Sequence, residues 1–230
     1  FGKPCGLMDQ TTCAVGGFVT IDFEDFKNPR IAKVPFDFAR SGHTLCVVDT
    51  GGDHAGLNDD YAALESEMKS VARALGADVL RRTSKRAVLD NIAALRGKVN
   101  DRAILRAIHF FDDDEKVLGQ VDALNAGDFE RFKELIVASG RSSFMHCQNV
   151  YANAHWQEQG LSLALAISEN ILRGRGAWRV HGGGFAGTIQ AFVPDDLLPR
   201  YRGAMTKVFG DKAFYELMVR PLGTVEVKPE

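Results

Sequence analysis

Residues 180–193 read Val-His-Gly-Gly-Gly-Phe-Ala-Gly-Thr-Ile-Gln-Ala-Phe-Val: three consecutive glycines and a fourth at Gly187, between β-rich flanks. This density of glycine predicts a strand–loop–strand junction and constrains the chain more than any other segment. Gly182–Gly187 satisfies the pattern G-x-G-x-x-G, but a dinucleotide fold needs that pattern between a strand and a helix. Here Thr188–Val193 is the strand that follows, so a nicotinamide site is rejected. Two readings stay open for the loop. One is a plain glycine turn joining two strands. The other is a concave set of backbone N–H donors that approaches a phosphate where side chains would obstruct it.

A second stretch, Gly2–Gly17 (GKPCGLMDQTTCAVGG), sets one acidic residue, Asp9, among apolar and weakly polar neighbours. No basic residue follows Lys3 until Lys27. A carboxylate in apolar surroundings is costly unless it is paired or used, although most helical aspartates are simply solvated. An isolated carboxylate and a glycine loop are two parts that a small-molecule phosphotransferase requires: one orients or deprotonates a hydroxyl, the other receives a phosphate.

The composition narrows the classes of function. The chain has 230 residues, 45% hydrophobic and 25% charged, with a formal net charge of −2, as expected of one large domain or one and a half smaller ones. No Lys/Arg block gives the electrostatic footprint of a nucleic-acid binder. No apolar run approaches the roughly 18 residues that would span a bilayer, so no membrane partner is expected. Cys5, Cys13, Cys46 and Cys147 form no C-x-x-C pair and have no ligand spacing with histidine. They read as reduced thiols of a cytoplasmic protein, and no metal site is assigned. The sequence starts at Phe1 without an initiator methionine, which suggests a piece of a longer protein.

Along the chain, Pro4–Val15 predicts a short helix closed by Gly16–Gly17. Phe18–Phe23 and Ile31–Phe36 predict a hairpin, and His43–Thr50 a buried strand. Helices are expected over Asn58–Leu75 (capped by Asn58 or Asp59), Asp101–Leu124, Asp128–Ser139 and Val150–Leu172, the last kinked or divided at Gly160. Strands return at Ala177–His181, Thr188–Val193 and Ala213–Val219, with a helix capped by Asp195 or Asp196 before the last. The pattern is α+β, strands at both ends enclosing a helical middle. Tyr61 falls in the first turn of its helix, where a core tyrosine and a ligand contact are equally open. His54 and His109 could each be catalytic, but lone histidines are more often hydrogen-bonded structural residues.

Pro4–Gln10 (PCGLMDQ) resembles the galactokinase segment that carries the catalytic aspartate. Gly182–Gly187 (GGGFAG) resembles the third signature loop of the GHMP sugar-kinase superfamily. His54, Tyr61 and the helix to Gly76 are similar to the family's Arg-His … Ser-Glu-Tyr stretch, while Arg102–His109 and Leu124–Arg141 fit later helices. The resemblance implies a two-domain α+β kinase with its site in the interdomain cleft. Residues 1–40 would be the end of the N-terminal catalytic domain, and 41–230 a GHMP-kinase C-terminal domain of antiparallel sheet packed with helices. It implies ATP-dependent phosphorylation of the C1 hydroxyl of galactose or a close relative, with Mg²⁺. Asp9 would be the base or orienting carboxylate, Gly6 and Tyr61 would meet the sugar, and the Gly183–Gly184 backbone would line the reaction centre. The family's ATP-phosphate loop, first sugar signature and upstream arginine are absent, so this chain alone is expected to be inactive. Asp53 stands where a basic residue is usual, Asp59–Asp60 replace Ser-Glu, and Ala186 replaces a glycine. A sugar- and ATP-binding regulator derived from such a kinase is the alternative.

Overall fold

The computed structural model describes residues 6–52 and 57–226. The expected N-terminal helix is α1 (Met8–Val15), closed by Gly16 at a positive φ. It is followed by the antiparallel hairpin β1 (Phe18–Asp22) and β2 (Arg30–Val34), paired from Phe18↔Val34 to Asp22↔Arg30. The Asp25 carboxylate accepts from the Lys27 amide at 2.9 Å inside the connecting turn, a local device for reversing a chain. Residues 4, 5, 53 and 54, which carry part of the expected first helix and two positions of the resemblance, lie outside the described residues.

The remaining strands form one antiparallel sheet in the order β4 (Ala177–Val180), β5 (Thr188–Pro194), β3 (His43–Asp49), β6 (Phe214–Leu217). Alternation sends successive side chains to opposite faces. Cys46, Ala191 and Trp178 align across three strands, as do Val48, Ile189 and Val180, and all six are buried on one face. That face packs on α7 (Gly160–Leu172) and α8 (Leu198–Phe209) through Leu161, Ala164, Tyr201 and Met205. Leu45, Phe192 and Ala177 make the opposite row, covered by α5 (Asp101–Asn125) and α6 (Phe129–Ser142). Phenylalanines weld this second layer to the β1–β2 hairpin. Phe132 meets Phe192 edge-on at 5.3 Å and Phe18 at 6.2 Å, and Phe36 stacks on Phe129 at 5.5 Å. A third core joins α2 (Asn58–Ala74) to α5 through the short helices α3 (Lys85–Asp90) and α4 (Ile92–Arg96). No described helix is long and apolar enough to cross a membrane.

Several local expectations fail for identifiable reasons. Asn58 and Asp59 do not cap α2; the helix starts from Leu57 with no side-chain cap, so both already lie inside its first turn. Asp195 and Asp196 do not cap α8 either. They form a 3-10 turn ahead of it, where Asp195 accepts from the Thr44 hydroxyl at 2.9 Å and Asp196 takes both nitrogens of the Arg175 fork. The helix expected over Val150–Leu172 exists only as α7. Upstream, α6 widens into a π-turn at Ser143–Cys147, and Gln148 turns left-handed at φ 55°, which ends the helix. The pair α3 and α4 was not expected, although Ser84 caps α3 by accepting from the Ala87 amide at 3.1 Å.

Helix α6 lies so close to β4 that a Cβ at Gly140 would fall 2.9 Å from Arg179 Cβ and 3.1 Å from the Trp178 carbonyl. Gly140→Ala is therefore expected to destabilise by about 1–3 kcal/mol, the usual cost of overpacking. For a chain of this size each kcal/mol lowers Tm by roughly 2–4 °C. A thermal melt unchanged within 1 °C (about 0.3 kcal/mol on that scale) would contradict the close approach.

Candidate active site

The β4–β5 connection is the glycine loop, so the expected strand–loop–strand junction is present and the sheet continues on both sides. The His181 amide donates to the Thr188 carbonyl at 3.0 Å, and His181 Nδ1 lies 3.0 Å from Thr188 Oγ1. Within the loop Gly182, Gly184, Phe185 and Gly187 all take positive φ, from 64° to 88°. Only glycine does this freely; for a bulky side chain such as Phe185 it is a strained conformation. Phe185 is 4% exposed and packs with Leu57 and Ala152, and this burial offsets the strain. At Gly184 a Cβ would stand 1.9 Å from the Asn149 carbonyl oxygen, which no side chain can satisfy.

Three elements hold the loop's carbonyls. Tyr61 Oη donates to the Gly184 carbonyl at 2.8 Å, and its ring meets Phe185 edge-on at 5.3 Å. Asn149 Nδ2 donates to the Gly183 carbonyl at 3.1 Å, while the Asn149 carbonyl accepts from the Phe185 amide at 2.6 Å. Thr50 donates its amide and its hydroxyl to the Gly187 carbonyl, each at 2.8 Å. Among the described residues nothing accepts from the amides of Gly182, Gly183, Gly184 or Ala186. A loop with its carbonyls engaged and several amides unengaged keeps backbone donors available to an anion. A cavity of about 170 Å³ adjoins it, bounded by Thr50, Gly52, Leu57, Phe185 and Ala186, with His155 and Glu158 as polar lining. A larger hollow, about 330 Å³, lies over Trp178 between α6 and α7; it touches no loop residue, and its charged lining is the 3.6 Å Arg141–Glu169 pair.

The sequence-selected residues gather unequally. Tyr61, Gly183 and Gly184 are in direct contact, since a Cβ at Gly183 would fall 2.7 Å from the Tyr61 ring. Burial, with the Asp60 charge adding to it, pushes the Tyr61 phenol above its ordinary value, so it stays a protonated donor. Asp9 sits on α1 close enough for its charge to act on His181 at the start of the loop. Burial and the Arg179 charge outweigh that attraction and hold His181 below the ordinary imidazole range, so it is neutral near pH 7. The apolar setting inferred for Asp9 is not burial, however. Helix α1 has no buried residue, and its flanking Leu7 and Met8 are exposed. Gly6 is exposed with open space around its Cα. His109 is a structural histidine, buried on α5 with Nδ1 2.9 Å from Ser142 Oγ. Asn149 escaped sequence reasoning altogether, because nothing in its neighbourhood marks it as the partner of a loop 34 residues later.

Gly184→Ala is expected to break the loop. The positive φ alone costs roughly 1–3 kcal/mol for a non-glycine residue, and the Asn149 carbonyl must also retreat. Melting should drop by several degrees, and the Phe185 amide should lose protection from hydrogen exchange. Retained protection at Phe185 would contradict the geometry.

No protein-family model matches the chain. Curated relatives do. A galactokinase of Actinobacillus pleuropneumoniae is 27% identical over 202 residues, 87% of this chain and 50% of the relative. A galactokinase of Streptomyces coelicolor is 31% identical over 200 residues, 84% of this chain and 47% of the relative. Among solved structures, Lactococcus lactis galactokinase complexed with galactose superposes with a TM-score of 0.75 at 18% identity, covering 98% of this chain and 57% of that one. The chain spans about half the length of the curated relatives it matches. It is thus similar to galactokinases along most of its sequence and shares the α+β fold of the Lactococcus lactis galactokinase over the part that superposes.

Proposed function

We propose that the complete protein is a galactokinase-like enzyme that transfers the γ-phosphoryl group of ATP to the C1 hydroxyl of galactose or a close relative. The observation that supports this best is the glycine loop, its carbonyls engaged by Tyr61 and Asn149 and several amides left as donors, with Asp9 acting on its first residue. In this reading Asp9 orients the sugar hydroxyl and accepts its proton as the sugar oxygen bonds to the γ-phosphorus and ADP leaves. Gly6 presents backbone to the sugar. Tyr61 donates to Gly184, and its oxygen lone pairs meet a sugar hydroxyl. The Gly183–Gly184 backbone stabilises charge on the transferring group. Such transfer is mostly positioning and electrostatics, which suits a preorganised backbone receptor.

Mg²⁺ neutralises phosphate charge in this chemistry. Such a Mg²⁺ is held by one or two carboxylates together with the substrate phosphates and water, and Asp9, whose charge acts on His181 beside the loop, is a carboxylate that would serve it. We assign residues 1–40 to the end of the N-terminal catalytic domain and 41–230 to the C-terminal domain. The two-stranded sheet then falls in the first and the four-stranded sheet in the second. ATP-phosphate donors would come from outside this chain, and the protein would work in the cytoplasm as a reduced-thiol enzyme.

Asp9→Asn in the complete protein should lower kcat by about 10²–10⁴, the worth of a positioned general base, with melting unchanged because Asp9 is exposed. ADP release with galactose, ATP and Mg²⁺ measures it, and this chain alone should give none above a no-protein control. Unchanged kcat would return Asp9 to a solvated helix residue. Binding of both ligands by the wild type without ADP release would favour the regulator.

A further inference from the structure

Two of the side chains that grip the glycine loop, Tyr61 and Asn149, hang from one ion cluster whose Arg106 is buried. Tyr61 lies in the first turn of α2, and Glu67 lies six residues on in the same helix. Glu67 takes Arg102 Nη2 at 2.6 Å and Arg106 Nη1 at 2.8 Å, both arginines projecting from α5. Burial opposes the Glu67 charge, but the Arg102 hydrogen bonds and the two guanidinium charges prevail and hold its carboxyl below the ordinary range. Arg106 is 1% exposed, and its Nε donates to the Cys147 carbonyl at 3.0 Å. Cys147 ends the π-turn, Gln148 reverses the chain at φ 55°, and Asn149 follows with its carbonyl and amide on the loop. Glu67 and Arg106 therefore join the tyrosine's helix to the asparagine's turn.

Burying a guanidinium is expensive, and a hydrophobic residue of similar volume would often stabilise the fold as well or better. What a well-paired charge supplies instead is one defined arrangement. The same holds for Asn149, 6% exposed, whose Nδ2 makes the only side-chain hydrogen bond to the Gly183 carbonyl among the described residues. A Cβ at Gly184 would stand 1.9 Å from the Asn149 carbonyl oxygen, so the loop's path is set by where Asn149 lies.

We propose that Asn149 is a positioning residue that fixes the Gly183–Gly184 backbone for phosphoryl transfer, and that Arg106 and Glu67 keep Asn149 and Tyr61 in register. This rests on the reaction proposed above, through which the loop acquires its chemical role.

The test compares Asn149→Ala and Asn149→Asp in the complete protein. If Asn149 only fills space, the nearly isosteric aspartate is the milder change. If it positions the loop by donating a hydrogen bond, the aspartate is the worse one, because it sets a negative charge against the Gly183 carbonyl. We expect kcat to fall about 10–100-fold in Asn149→Ala and further in Asn149→Asp, as small misplacements cost, with KM for galactose changing less than threefold (on the order of one lost hydrogen bond or less). Hydrogen exchange at the Phe185 amide should quicken in the same order, by roughly tenfold or more, the effect of one buried hydrogen bond. Arg106→Met should show the same exchange signature and Arg106→Lys a part of it. Wild-type kcat and Phe185 exchange in Asn149→Asp would overturn the proposal, whether or not the Arg106 variants fold. A wild type without galactose-dependent ADP release would sink the proposed reaction alone, since the exchange order is read independently of turnover.

Discussion

The contact between Gly184 and the carbonyl of Asn149 leaves no room for a Cβ, and the rest of the site is arranged around it. A backbone brought this close must be glycine, and Gly184 also takes a positive φ of 78°, which glycine adopts freely. The carbonyls of Gly183 and Gly184 then point to Asn149 and Tyr61, and the Gly187 carbonyl to Thr50. Among the described residues the amides of Gly182, Gly183, Gly184 and Ala186 are left without an acceptor. A receptor built of backbone is rigid and strongly directional, and it suits a charge that grows during a reaction better than one already present.

The fold around the loop accounts for its rigidity. The β4–β5 hairpin is the edge of a sheet whose two faces are both buried, by α7 and α8 on one side and by α5 and α6 on the other. Its strands cannot shift without disturbing the Cys46–Ala191–Trp178 row or the Phe192 aromatic cluster. Phe185 closes the loop from within. Its left-handed backbone is tolerated because its ring is buried against Tyr61, Leu57 and Ala152, so strain at one residue is held by packing at several.

Patterns confined to a few consecutive residues were legible in the sequence. Glycine density gave the loop, alternation gave β1 and β2, a short apolar run gave β3, and the 3.6-residue spacing gave α2, α5 and α6. Tyr61, Gly183 and Gly184 were singled out from motif alone and stand together. Features set by distant partners were not legible. Asn149 has no local mark, and the helix expected over Val150–Leu172 fails because the π-turn and Gln148 redirect the chain to deliver Asn149 to the loop. The run of apolar and weakly polar residues around Asp9 suggested apolar surroundings for its carboxylate, whereas Asp9, Leu7 and Met8 are exposed, because apolar residues in sequence do not guarantee apolar neighbours in space. Asp195 and Asp196 have capping chemistry but were taken up by Thr44 and Arg175. His54 and Asp53, which bear on the resemblance, lie outside the described residues.

The central claim is that a backbone receptor at Gly182–Ala186 receives the reacting group. Amide chemical shifts of the complete protein, titrated first with galactose and then with a non-hydrolysable ATP analogue and Mg²⁺, test it most directly. The account predicts that the amides of Gly182, Gly183, Gly184 and Ala186 shift most, with the Val180 and Ile189 amides of the flanking strands nearly still. Shifts centred instead on the hollow between α6 and α7, around Phe144, Leu165 and Trp178, with the glycine amides unmoved, would contradict it.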